Sequence, residues 1–210
     1  MTWFDKATLL VTGLTALYMI WRFTQDLRSG TRPSRSALSY ITSFAVLLVS
    51  GLLLIALGYG VLSHPLVVVV ASLIPVTLSA GLVAEYAPVQ ARTYDLFAVV
   101  GLLALAVTRF AGPRPLAIAT LIVVHGVAGL IIFGLPLWLA AQRRAPGRFA
   151  WVGVGGALIG VGGIALAFLK AGKPILSADT IFLILAPLLL AMTASFAAGF
   201  LGSGTPSGRS

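Results

Sequence analysis

The sequence predicts an all-α integral membrane protein: a seven-transmembrane-helix bundle in one domain. Three observations predict it. Hydrophobic residues make up 59% of the 210 residues, charged residues only 9%, and the mean hydropathy is +1.06. A soluble domain carries about 25% charged residues, so this chain has too few to cover a surface in water. The same scarcity of charge excludes a disordered chain. Second, the apolar residues fall into seven stretches close to the ~20 needed to cross a bilayer core. Third, the charges gather in the short connections between those stretches.

The spans read as 7–23, 38–62, 66–86, 94–111, 115–141, 149–169 and 179–201. The first lacks the basic start and the A-x-A-like cleavage site of a signal peptide, so it reads as a helix. In Ser63-His64-Pro65 the proline ends one helix and starts the next. The transmembrane domain is 1–201, and the Gly- and Ser-rich stretch 202–210 is a flexible cytoplasmic tail. Asp5 and Asp179 open their helices and satisfy first-turn N–H groups. Glu85 closes its span, where snorkelling suffices. Arg92 and Asp95 stand at the start of the fourth span and read as a loop pair.

Charge sets the orientation. Arg22, Arg28, Arg32, Arg35, Arg92, Arg143, Arg144, Arg148 and Arg209 share one side, and Lys6, Arg109, Arg114, Lys170 and Lys173 the other. Positive residues stay in the cytoplasm, which predicts a multi-pass protein of the cell membrane with its N-terminus outside. Trp3, Trp21, Trp138 and Trp151 fall at span ends, where an indole buries its ring and keeps its N–H wet. The net charge of +9 comes without a basic stripe interleaved with aromatics, so nucleic acid is not an expected partner. The bilayer is, together with a second copy or a subunit of a membrane complex. Cysteine is absent, which removes disulfides, thiolate nucleophiles and Cys-ligated metal.

The first and last three spans look related, as a parallel 3+1+3 repeat. The stretch 10–17, LVTGLTAL, resembles 123–130, VVHGVAGL, and each third span carries an internal proline, Pro75 or Pro187. Such repeats occur in transporters.

Several stretches resemble the microbial rhodopsins. Thr12-Gly13-Leu14-Thr15-Ala16-Leu17-Tyr18 is similar to that family's first helix, and Ser39-Tyr40-Ile41-Thr42 and Leu57-Gly58-Tyr59-Gly60-Val61 to the start and end of its second. Ala178-Asp179-Thr180-Ile181-Phe182 resembles the opening of its last helix, and Pro75 matches the proline of its third. The resemblance implies a rhodopsin-like seven-helix scaffold. That family binds retinal as a Schiff base on a last-helix lysine, but the matching position, near Ala191, has no lysine. Its third-helix Arg and acidic counter-ion are also missing from 66–84, so no covalent retinal, and no other cofactor, is expected. Sugar transporters of 3+1+3 layout are similar in plan, without their characteristic prolines here.

Polar groups inside a bilayer are costly and mark candidate sites. His125 stands about 15 Å into the fifth span, near the midplane. It is expected to face the interior as a neutral imidazole bonded to a neighbouring helix. With Thr12 and the helix break at Pro187 it forms the candidate ligand-binding set; packing is the alternative role for each. Gly156 and Gly160 form a small-xxx-small pair for close helix approach. No metal site and no catalytic constellation appears, so an enzyme is not expected. The leading expectation is a non-enzymatic receptor or binding protein. The alternatives are a small-solute transporter built on the repeats and an accessory subunit of a membrane complex.

Overall fold

A computed structural model describes residues 1–170 and 175–202. Among them the secondary structure is helical throughout, with seven long helices and three short 3-10 turns. The long helices are α1 (Trp3–Ser29), α2 (Ser34–Leu57), α3 (Pro65–Tyr86), α4 (Ala91–Ala111), α5 (Arg114–Ala141), α6 (Ala150–Lys170) and α7 (Ala178–Leu201). Each contains a stretch long and apolar enough to cross a membrane.

The ends of the helices follow from local chemistry. Thr2 and Asp5 form a reciprocal capping box: the Thr2 N–H donates to Asp5 Oδ2 at 2.7 Å and the Asp5 N–H to Thr2 Oγ1 at 3.2 Å. Gly30 ends α1 in the left-handed region at φ 66°. Gly58, at φ 71°, stops α2 at Leu57, five residues before the expected edge, and a 3-10 turn over Tyr59–Ser63 follows. Pro65 opens α3 while His64 Nδ1 accepts from the Leu66 N–H at 3.2 Å, so His64 is a cap in a connection. Ser177, not Asp179, caps α7, accepting from the Thr180 N–H at 3.1 Å. Arg92 and Asp95 do not form a loop pair. Both lie in the first turns of α4, and Asp95 pairs across to Arg35 of α2. Residues 203–210, most of the expected tail, lie outside the described residues.

The helices form a closed ring of six. α1 packs on α2 and α7, α2 on α3, α3 on α5, α5 on α6, and α6 on α7. α4 stands outside the ring against α3 and α5. Large apolar side chains cover the outer surface: Leu103 is 62% exposed and Leu130 71%. In water such a surface would drive association, whereas against lipid it costs nothing. The chain is therefore an integral, multi-pass membrane protein.

The core is thickest at the end of the bundle that carries Arg28, Arg92 and Arg143, here called the arginine-rich end. Phe23, Tyr40, Phe44, Phe149, Phe196 and Phe200 meet there and are buried. The opposite end is closed more thinly, by Leu9, Leu54 and Ala186 and by Tyr59 stacked on Phe182 at 5.4 Å.

Candidate functional site

The densest polar site lies at the arginine-rich end, inside the first three helices. Asp26, one turn from the end of α1, and Arg32, in the connection to α2, are 5% and 9% exposed. Arg32 Nε donates to Asp26 Oδ2 at 3.4 Å, and Arg32 Nη1 donates to Glu85 at the end of α3. Arg22 pairs with Asp26 from one turn back. Tyr40 of α2 donates its hydroxyl to Glu85 Oε2 at 3.0 Å. Two guanidinium groups thus face two carboxylates, and the cluster is neutral as a whole.

A buried charge is tolerated when it is paired and hydrogen-bonded, and each member here has a partner. Burial alone would lower the Arg32 pKa. The Glu85 carboxylate overrides it and holds the guanidinium above its usual value, so Arg32 is a permanent cation. Its planar face is also used: the guanidinium carbon lies 5.5 Å from the Phe23 ring and 5.7 Å from the Tyr40 ring. Gly81 of α3 lets this happen, because a Cβ there would overlap the Tyr40 ring. Glu85 therefore does not snorkel. It ties α3 to the α1–α2 connection. The arrangement is suited to rigidity rather than proton transfer.

The last three helices are held differently. A Cβ at Gly153 or Gly156 of α6 would meet the α5 backbone at Phe133 O or Ile132 C, at 2.8 and 3.0 Å. A Cβ at Gly155 would run into the Phe196 ring of α7, and one at Gly199 into the Val152 backbone at 2.7 Å. These four glycines allow close packing of α5, α6 and α7. Gly160 faces open space, so the expected Gly156/Gly160 pair reduces to Gly156.

Between the two groups of helices the contacts are apolar: aliphatic where Val76 and Val83 of α3 share a cluster with Val124 and Ala128 of α5, and aromatic at the arginine-rich end. Phe23 meets Phe200 at 5.3 Å, Tyr40 meets Phe200 at 4.7 Å, and Tyr86 meets Phe149 at 5.0 Å. No ion pair recorded among the described residues crosses between them.

The residues singled out in the sequence are spread over three helices. Thr12 of α1 is buried and donates to the Thr8 carbonyl of its own helix at 2.9 Å. Pro187 lies inside the continuous helix α7, next to α1. His125 is half-buried on α5, which packs on α3, α4 and α6. Its Nδ1 is buried and makes no hydrogen bond to a neighbouring helix, so the interhelical bond expected there is not made by that atom. No recorded hydrogen bond joins these three residues.

Sequence reasoning passed over Asp26 and took Arg32 for a topology anchor. One signal was available: three of the five acidic residues, Asp26, Glu85 and Asp95, stand on the side with most of the arginines. Compared with known proteins, the chain matches no family model, no curated protein and no solved structure.

Proposed function

We propose that this membrane protein moves a small uncharged or weakly polar solute by rocking two three-helix halves, α1–α3 and α5–α7, against each other. The carrying observation is the neighbour pattern of the ring. Replacing α1, α2 and α3 by α5, α6 and α7, and the reverse, turns every packed pair of the ring into another ring pair, while α4, packed on α3 and α5, stands outside the exchange. The seam between α3 and α5 becomes the seam between α7 and α1. Helix α4 restores the chain direction and stays outside, which supports a parallel 3+1+3 arrangement. Each half is stiff within itself, by ion pairs in one and glycine contacts in the other. The seam between them is apolar and, among the described residues, crossed by no salt bridge, which supports a sliding interface. Ion transport is disfavoured because ion pathways carry intramembrane acids. The acids of the cluster stand at the ends of α1 and α3 and are paired. The only described lysines are Lys6 in the first turn of α1 and Lys170 at the end of α6, which supports a carrier without covalent retinal.

A binding protein without transport is the second reading, and the buried Nδ1 of His125, which bonds to no neighbouring helix, is the observation that favours it. Accessibility separates the two. The chain has no cysteine, so Thr12→Cys is a unique probe. A transporter exposes it to a membrane-impermeant maleimide from either face of the membrane, in intact cells and in inverted vesicles. Labelling from one face only, or from neither, contradicts transport.

A further inference from the structure

We infer that the turn between α5 and α6 is a binding site for the headgroup of an anionic phospholipid, built from Arg143, Arg144 and Arg148. Three observations lead there. The first is charge without a counter-charge. At the arginine-rich end Arg22, Arg32 and Arg35 each have a carboxylate, whereas Arg143, Arg144 and Arg148 are exposed and have none among the described residues. No Asp or Glu occurs between Asp95 and Asp179, so α5, α6 and their connection contain no acid that could serve. No carboxylate of these helices therefore competes for an anion bound there.

The second is depth. Trp138 in the last turn of α5 and Trp151 in the first turn of α6 are half-exposed, at 49% and 50%. Exposed indoles mark the interface, so the turn just beyond them stands at the level of lipid phosphates. The Arg144 guanidinium carbon lies 5.1 Å from the Trp138 ring centroid, which holds that cation against the belt.

The third is a rigid backbone that accepts strain. Arg143 has φ 55°, the only non-glycine left-handed residue among those described. The Arg143 N–H donates to the Ala140 carbonyl at 3.0 Å, and the N–H groups of Arg144 and Ala145 donate to Leu139 at 2.9 and 3.2 Å. This is the helix-ending motif in which glycine is usual. An arginine there sacrifices backbone ease to place a charge. Pro146 and the fully buried Phe149 fix the far side of the turn. The site is thus preorganised, and basic pockets of this kind hold anionic headgroups.

The test uses the full chain in detergent, with native mass spectrometry counting retained lipid after phosphatidylglycerol or phosphatidylcholine is added. Phosphatidylglycerol is retained preferentially, and each arginine removed by Arg143→Gly, Arg144→Gln or Arg148→Gln lowers its retention about fivefold. Arg143→Gly relieves the left-handed strain and melts at or above the wild-type temperature, so its loss of lipid is not a loss of fold. Arg28→Gln with Arg92→Gln removes exposed charge from the same end and leaves retention unchanged. An equal loss per charge in that control pair overturns the proposal in favour of a delocalised field. Equal retention of the two lipids overturns it as well. So does displacement of phosphatidylglycerol by inorganic phosphate, which would mark a free-anion site.

Discussion

Arg32 shows how much one side chain can organise at the edge of a membrane. It contacts two carboxylates and two aromatic rings contributed by all three helices of the first half. Removing one partner from a buried pair leaves the other uncompensated, so Arg32→Met should destabilise the protein by about 3–5 kcal/mol. Adding Glu85→Met to that variant removes a stranded carboxylate and should recover part of the loss. Thermal melts of both single variants and the double in detergent give the coupling directly. If the double variant is as unstable as the sum of the singles, the pair is not coupled. Tyr59, in the connection between α2 and α3, adds a dependence on pH. Burial, and after it the neighbouring Asp5 carboxylate, pushes its hydroxyl up to about 12. In the unfolded chain the phenol ionises near pH 10, so between about 10 and 12 the folded state holds the extra proton. Stability from Tyr59 is complete below pH 10 and is lost as the pH rises towards 12. Melts across that range should fall more steeply for the wild type than for Tyr59→Phe, and parallel curves would remove Tyr59 from the account. These side-chain partnerships were hidden in the sequence because they join positions far apart. Arg32 and Glu85 are 53 residues apart, and neither position carries a local pattern naming the other.

At the scale of helices, more was legible. Length and hydropathy located all seven, because a bilayer demands ~20 apolar residues whatever the tertiary contacts. The ends were less well read. Gly58 cuts α2 at Leu57 through a left-handed residue inside an apolar run that has no other break. α4 starts earlier than hydropathy suggested, since Arg92 and Asp95 are helical but charged and so looked like loop. The glycines of α6 were legible as small residues but not by the partner each one faces. Their roles separate on substitution. Gly155→Ala puts a methyl into the Phe196 ring and should cost about 1–3 kcal/mol. Gly160→Ala meets nothing within 4 Å and should gain up to about 1 kcal/mol from helix propensity. Melting temperatures moving in opposite directions would support the packing described for α6, and equal shifts would refute it.

For the whole molecule, the six-helix ring with α4 outside reduces the architecture to two three-helix bodies and an apolar seam. The sequence offered this as a weak repeat, carried by LVTGLTAL, VVHGVAGL and a proline in each third helix. Apolar helices of low variety hide such kinship, since a bilayer rewards the same few residues everywhere. The packing order of the ring is compatible with that repeat. Each half is held together differently: by Arg32 with its carboxylates in one, and by close packing at Gly153, Gly155, Gly156 and Gly199 in the other. On the proposed transport reading, the aromatic contacts at the arginine-rich end and the Tyr59–Phe182 stack at the opposite end would be the two places that open in turn. Pairs of spin labels placed across the seam test this most directly, because the chain offers no native cysteine to interfere. One pair, Ser29→Cys with Gln142→Cys, spans the arginine-rich end; the other, Gly60→Cys with Ile175→Cys, spans the opposite end. Measured in lipid nanodiscs, each pair should give two distance populations. A single narrow distance at both ends would contradict rocking halves and leave a static bundle.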